Sequence, residues 1–191
     1  MPATVIPVTG MYQGFIGDLG SEGFPLRIPR PVNSSDTKNI GFGETLVLNT
    51  NNTYPSVAQF IANSNTFTNT TPFAIAKSNV MTNLGSFPGG GGSNLSPGYY
   101  SPGSAACDAL VAGGSIWVFC ANGTPTAGGQ VFMRVALNAS IPNGVIGGLE
   151  AVADGANTVA LATDRIAWKT GIANANEDGT YLVSILRQTI P

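Results

Sequence analysis

The residue missing from this chain constrains its chemistry more than any residue present: 191 positions include no histidine. Histidine is the commonest general base, the usual orienter of a serine or cysteine nucleophile, and the commonest zinc ligand. Ser-His-Asp and Cys-His catalysis are therefore excluded, and zinc would find at most two cysteines, Cys107 and Cys120. Four patterns still have residue types that could do chemistry. Ser35-Asp36-Thr37-Lys38 has the Ser-x-x-Lys spacing of penicillin-binding enzymes, but it lies in a polar loop without the companion motifs that reaction needs. Gly41-Phe42-Gly43 starts like a dinucleotide fingerprint, yet Leu46 stands at the third glycine position and no helix is expected after it. Asn174, Asn176 and Asp178, followed by Gly179, imitate the start of a calcium loop, but Ile185 occupies the twelfth position, where a bidentate glutamate is needed. Glu177 and Asp178 are adjacent acids, and neighbours in a strand or turn point apart, so paired-carboxylate hydrolysis would need another acid. The expectation is a protein without catalytic residues, bound metal or cofactor.

Four further signals have bland readings. Cys120 ends the apolar run Ile116-Trp117-Val118-Phe119, which predicts a buried, reduced thiol, and two cysteines are few for a disulfide scaffold. Six Asn-x-Ser/Thr triplets, starting at Asn33, Asn51, Asn69, Asn94, Asn122 and Asn138, need a secretory route before they mean anything. The first residues, Met-Pro-Ala-Thr-Val-Ile-Pro, lack the basic start and apolar core of a signal peptide, so synthesis in a cytoplasm is expected. Tyr54, Tyr99 and Tyr100 could stack on sugars if exposed, but no row of aromatics at strand spacing supports a lectin site, and packing beneath loops is the simpler expectation.

Composition narrows the class further. Ile, Leu, Val and Phe make up about a quarter of the chain, enough to build a core. Charged residues are only 9%, against about 25% in an ordinary soluble domain. Asn, Thr, Ser and Gly must supply the polar surface, which suits a protein that stays assembled on something. Net charge is −2 and the eight basic residues are scattered, so the basic stripe that nucleic-acid binding requires is missing. No polybasic or amphipathic membrane anchor is present. The uncharged stretch between Asp108 and Arg134 is broken by Gly113, Gly114, Asn122, Gly123, Pro125, Gly128 and Gly129, which reads as strand, turn, strand rather than a membrane span.

The elements that position these residues are short strands. Residues 1–38 read as an extended arm, because Pro2, Pro7, Pro25, Pro29 and Pro31 oppose both helix and central strand. The arm also carries Tyr12, Phe15, Phe24 and Ile28, too apolar for a solvated tail, so it should lie across a surface, its own or a neighbour's. Residues 39–191 read as a β-domain with a Gly-rich loop near 88–98. Expected strands are Thr45–Leu48, Phe73–Ala76, Ser115–Cys120 (buried on both faces), Val131–Leu137 with Arg134 on the polar side, Val159–Leu161, Ile166–Trp168 and Tyr181–Leu186. Asn122-Gly123, Asn143-Gly144, Asp154-Gly155 and Asp178-Gly179 mark turns. Helical evidence is thin: only Ser56–Ala62 could make a turn or two, and Ala105–Ala112 is ambiguous. The fold class is all-β, a small barrel or jelly-roll-like sandwich.

The order of features along the chain carries a resemblance. Met11-Tyr12-Gln13-Gly14-Phe15-Ile16-Gly17-Asp18 is followed by Ile40 to Val47, by the Phe73–Ala76 strand, and by the turn Tyr100 to Gly103. Ala112-Gly113-Gly114-Ser115-Ile116-Trp117-Val118 leads into Ala127 to Phe132. Trp168-Lys169-Thr170-Gly171 and Tyr181 to Arg187 close the series. This order resembles the capsid decoration, or structural cement, proteins of tailed bacteriophages. The resemblance implies a non-enzymatic virion protein that coats the outer face of the shell. It would bridge major capsid protein subunits and assemble with itself as a dimer or trimer, without binding nucleic acid or membrane. Tyr12, Phe15, Phe24 and Ile28 are the expected interface anchors, since aromatics dominate interface hot spots. The alternative is a tail-fibre or receptor-binding module, or a carbohydrate-binding virion module. A chain with its own start that reads as complete favours the decoration protein. The Asn63–Thr71 segment and the Gly-rich loop depart from the family pattern.

Overall fold

The computed structural model describes residues 15–78, 99–103, 106–173 and 179–188, with the side chains of Ser21 and Glu22 left aside. Among these residues the chain is almost entirely β, with one short α-helix. The strand that organises it is β6 (Cys107–Phe119). Its register partners are β1 (Leu19–Arg30), β4 (Phe73–Ala76) and β11 (Thr180–Ile185), all antiparallel. Adding β3 (Thr45–Val47) beyond β4 and β10 (Ile166–Trp168) beyond β11 completes a curled six-stranded sheet in the order β10-β11-β6-β4-β3, with β1 also on β6. A second sheet, β8-β7-β9, comprises β7 (Phe132–Arg134), β8 (Leu149–Glu150) and β9 (Thr158–Ala160). A two-residue pair joins β2 (Ile40–Gly41) to β5 (Tyr99–Tyr100).

Strand periodicity explains two cores. Successive side chains point to opposite faces. Phe73 and Ile75 of β4 therefore join Leu110, Ile116, Val118, Met133, Leu149, Trp168 and Val183 in the larger core. Ala74 and Ala76 face the other way, into a smaller core with Ile40, Leu46, Tyr54, Tyr100, Cys107, Ala109 and Val111. The first half of β6 is buried on both faces because both cores need it. This is why Ala105–Ala112, ambiguous by propensity, is strand from Cys107 onward: tertiary burial overrides a weak local preference.

Pro25 and Pro29 of the arm lie within β1 rather than excluding a strand there. Residues 19–30 pair with β6 and with no other strand among the described residues, and the pairing shifts register three times between Leu19 and Arg27. Asp108 uses its carbonyl to accept from the N–H of Lys77, just after β4, so the nitrogen of its partner Pro29 faces away from β6, where its missing donor breaks no ladder bond. Helix α1 (Val57–Ala62) falls where its sequence predicts. Ser56 caps it by accepting from the Gln59 N–H, and Asp36 anchors the cap by accepting from both the N–H and the hydroxyl of Ser56.

One strand expectation is corrected. The alternation over Val131–Leu137 predicts a long half-buried strand with Arg134 outward. Only Phe132–Arg134 is strand, Arg134 is fully buried and Leu137 is 68% exposed. Arg134 turns inward because two carboxylates, Glu150 and Asp154, meet its guanidinium there. A pattern of apolar and polar letters carries no information about where such partners will stand.

Candidate interaction surface

Among the described residues, the patterns that resembled catalytic motifs assemble no reactive centre. In Ser35–Lys38, Asp36 is the buried helix-cap anchor, and Lys38 donates to Glu44 at 2.8 Å and to the Ile146 carbonyl. Gly41–Gly43 is a turn in which Gly43 takes φ +75° and lies within contact of Ile16 and Trp117. The calcium-like residues Asn174, Asn176 and Asp178, together with Glu177, lie outside the described residues. Among the described residues no three cysteine, aspartate or glutamate side chains gather as metal ligands. Burial pushes the thiols of Cys107 and Cys120 above their ordinary range, and both are free cysteines, so neither carries a ready thiolate. Of the tyrosines, Tyr54 and Tyr100 are buried and donate their hydroxyls to the Ile28 and Lys77 carbonyls, and Tyr99 is partly exposed.

What the surface offers instead is apolar contact. Phe24 is 96% exposed and Phe15 57%, with Leu26, Leu137, Ile172 and Leu186 also large, apolar and open to solvent. The position of Phe24 has a local cause. Gly23 (φ +89°), the register partner of Gly114, and Gly113 (φ +71°) lie where β1 and β6 slip register. A Cβ on Gly23 would stand 2.5 Å from the Gly113 carbonyl oxygen, and one on Gly113 would stand 2.6 Å from that of Phe24. Only glycine allows so close an approach with positive φ on both strands. At this irregularity of the β1–β6 pairing Phe24 is left almost fully exposed.

The four residues expected to act together are placed differently. Tyr12 lies outside the described residues. Phe15 precedes β1 and is held by its N–H, which donates to Asp18. Phe24 stands exposed where β1 slips register against β6. Ile28 packs against the smaller core, so it steadies β1 from within. Sequence reading missed Leu186 and two clefts. One, of about 260 Å³, is lined by Gly23, Gly113, Gly114, Ser115, Lys169, Ser184, Ile185 and Leu186. The other, of about 240 Å³, has Ile16, Phe42, Phe119 and Val145 among its walls. Their linings come from segments far apart in the chain, and no local pattern announces them.

A search of curated proteins finds no match to this chain. A family model does match, over residues 4–185, nearly the whole length. It is that of the XM1 gp53 minor capsid protein, a phage capsid protein family. An all-β chain with little charge, buried thiols and apolar side chains held out to solvent is thus a structural component of a phage particle: the chain belongs to the XM1 gp53 minor capsid protein family.

Proposed function

We propose that this minor capsid protein is a decoration, or cement, protein: it binds the outer face of the assembled shell, bridges neighbouring major capsid subunits, associates with further copies of itself, and catalyses nothing. The observation that carries the reading is Phe24, an aromatic side chain 96% exposed where β1 slips register against β6. An uncovered aromatic of this kind is favourable only when a partner covers it, and aromatic residues dominate the energetics of protein interfaces. The scarcity of charge fits the same role, because a surface with few charges resists association poorly. On a symmetric shell each modest contact is repeated many times, and a molecule touching two subunits gains by avidity. Whatever binds only the assembled shell shifts the equilibrium away from disassembly.

Sedimentation of purified protein with mature shells and with precursor shells tests this directly. Binding to mature shells, and a higher rupture temperature of particles in proportion to occupancy, is the expected result. Equal particle stability with and without full occupancy would overturn the cement role.

A further inference from the structure

Two Asn-Gly steps occur in the chain, Asn122-Gly123 and Asn143-Gly144, and the fold treats them oppositely. In such a pair the backbone nitrogen of the glycine can attack the side-chain carbonyl carbon of the asparagine, because glycine has no side chain to obstruct ring closure. The reaction needs that nitrogen unengaged and open to water, which removes its proton. At Gly144 it is neither. The residue is buried against the Arg134 guanidinium, and its N–H donates to the Ile141 carbonyl at 3.0 Å. A buried N–H gives up such a bond only at a cost. Gly123 is exposed, and among the described residues its N–H donates to no acceptor. The Asn122 amide is held by a 3.4 Å contact with the Val152 carbonyl, longer than an ordinary hydrogen bond.

We propose that Asn122 is a site of spontaneous deamidation and that the fold protects Asn143 from the same reaction. The Gly123 nitrogen loses its proton to water or hydroxide and bonds to the Asn122 side-chain carbonyl carbon. The amide nitrogen takes up a proton and leaves as ammonia. Water then opens the cyclic imide at either carbonyl, giving aspartate or isoaspartate. Overall one water is consumed and one ammonia released, with no oxidation or reduction. The isoaspartate product matters most, because its main chain runs through the former side chain and is one carbon longer. The Asn122 carbonyl accepts from the Ala151 N–H at 3.0 Å and from the Cys120 thiol. These bonds join the end of β6 to β8, where Cys120 bridges Leu149. Lengthening the chain there displaces them and opens the Cys120 thiol to water. A capsid component is not resynthesised within a finished particle, so the change accumulates as the particle ages.

The test is peptide mapping by mass spectrometry of full-length protein incubated at mildly alkaline pH, native and in urea. In urea both steps should deamidate alike. In the native protein Asn122 should convert, faster as pH rises, while Asn143 stays intact. Native Asn143 converting as fast as Asn122, or Asn122 staying intact while the urea sample converts, would overturn the assignment. Thiol labelling reads the consequence. Aged native protein should label at Cys120 and not at Cys107. Asn122→Gln aged in the same way should not label, nor should fresh Asn122→Asp, which carries the new charge on an unaltered backbone. Cys120 closed to reagent in protein with isoaspartate at position 122, or open in fresh Asn122→Asp, would overturn backbone lengthening as the cause and leave the deamidation site standing.

Discussion

Arg134 and Glu150 meet diagonally across β7 and β8, with Nε of the guanidinium donating to Oε1 of the carboxylate, and both side chains are out of contact with solvent. Nη1 reaches the Asp154 carboxylate and the Ala136 carbonyl, each at 3.0 Å. Gly144 makes room for this, since a Cβ there would lie 2.6 Å from Nε. Burial alone disfavours the charge on Arg134, but hydrogen bonds to Glu150 and Asp154 outweigh it and raise its pKa.

Breaking this pair from one side strands a buried charge. Glu150→Leu or Arg134→Met alone should cost about 3–5 kcal/mol in urea unfolding. The double variant should recover most of that loss, because replacing both charges by apolar side chains of similar size is often neutral. A double variant as unstable as the sum of the singles would contradict the argument.

Acid should loosen the same corner. The Asp154 carboxyl is held below its ordinary range, first by the Asn138 amide and then by Arg134 and Asn157, against some opposing desolvation. A carboxyl with a depressed folded pKa stabilises fully above its ordinary value of 3.8, and the contribution is lost as pH falls through the lower folded value. Asp154→Asn should therefore flatten the acid limb of stability against pH below about 4. The variant is expected to match the parent's slope above pH 6.

Both cysteines should resist chemistry. Desolvation raises Cys107 first, with Asp108 adding to it, and desolvation likewise raises Cys120. Native protein treated with a thiol reagent at pH 8 should label negligibly, and both thiols should label in denaturant. Reducing agent should leave the melting temperature unchanged. A quantitative bridge between positions 107 and 120 in intact particles would contradict this.

The glycines at the register slip should be unequal to those elsewhere. Gly23→Ala places a methyl against a backbone carbonyl as well as at positive φ, so it should destabilise by more than the roughly 1–2 kcal/mol of the conformation alone. Gly128 also has positive φ (+74°), with open space around the added carbon, so Gly128→Ala should cost only the conformational part. Calorimetry should separate the two by several degrees, at about 2–4 °C per kcal/mol for a chain this size. Equal melting temperatures would remove the close approach as a cause.

Truncation should divide the arm. Removing residues 2–14 leaves β1 intact. Removing residues 2–30 strips β6 of a strand partner and uncovers Cys107 and Ala109, both buried. The first variant should keep the parent's circular dichroism, and the second should lose stability or aggregate.

Several elements were legible in the sequence because their cause is local. Phe73–Ala76 matches β4 residue for residue, Ser56 caps the helix, and Ile166–Trp168 and the last strand fall where alternation puts them. Turn residues such as Gly123 (φ +81°) and Gly179 (φ +73°) were readable for the same reason, since the need for positive φ is written in one position. The missing histidine and the scarcity of charge likewise narrow the chemistry before any fold is known. Tertiary structure alone decided the rest. Arg134 goes inward because Glu150 and Asp154, 16 and 20 residues on, arrive beside it, and Tyr54 is buried because the Ile28 carbonyl accepts its hydroxyl. Ile28 packs against the smaller core while Phe24, four residues earlier on the same strand, stands exposed, because the register of β1 against β6 shifts between them. The cleft of Ser115, Ser184 and Lys169 exists only because β6, β10 and β11 lie side by side, a pairing set by burial of Ile116, Trp168 and Val183 on the opposite face.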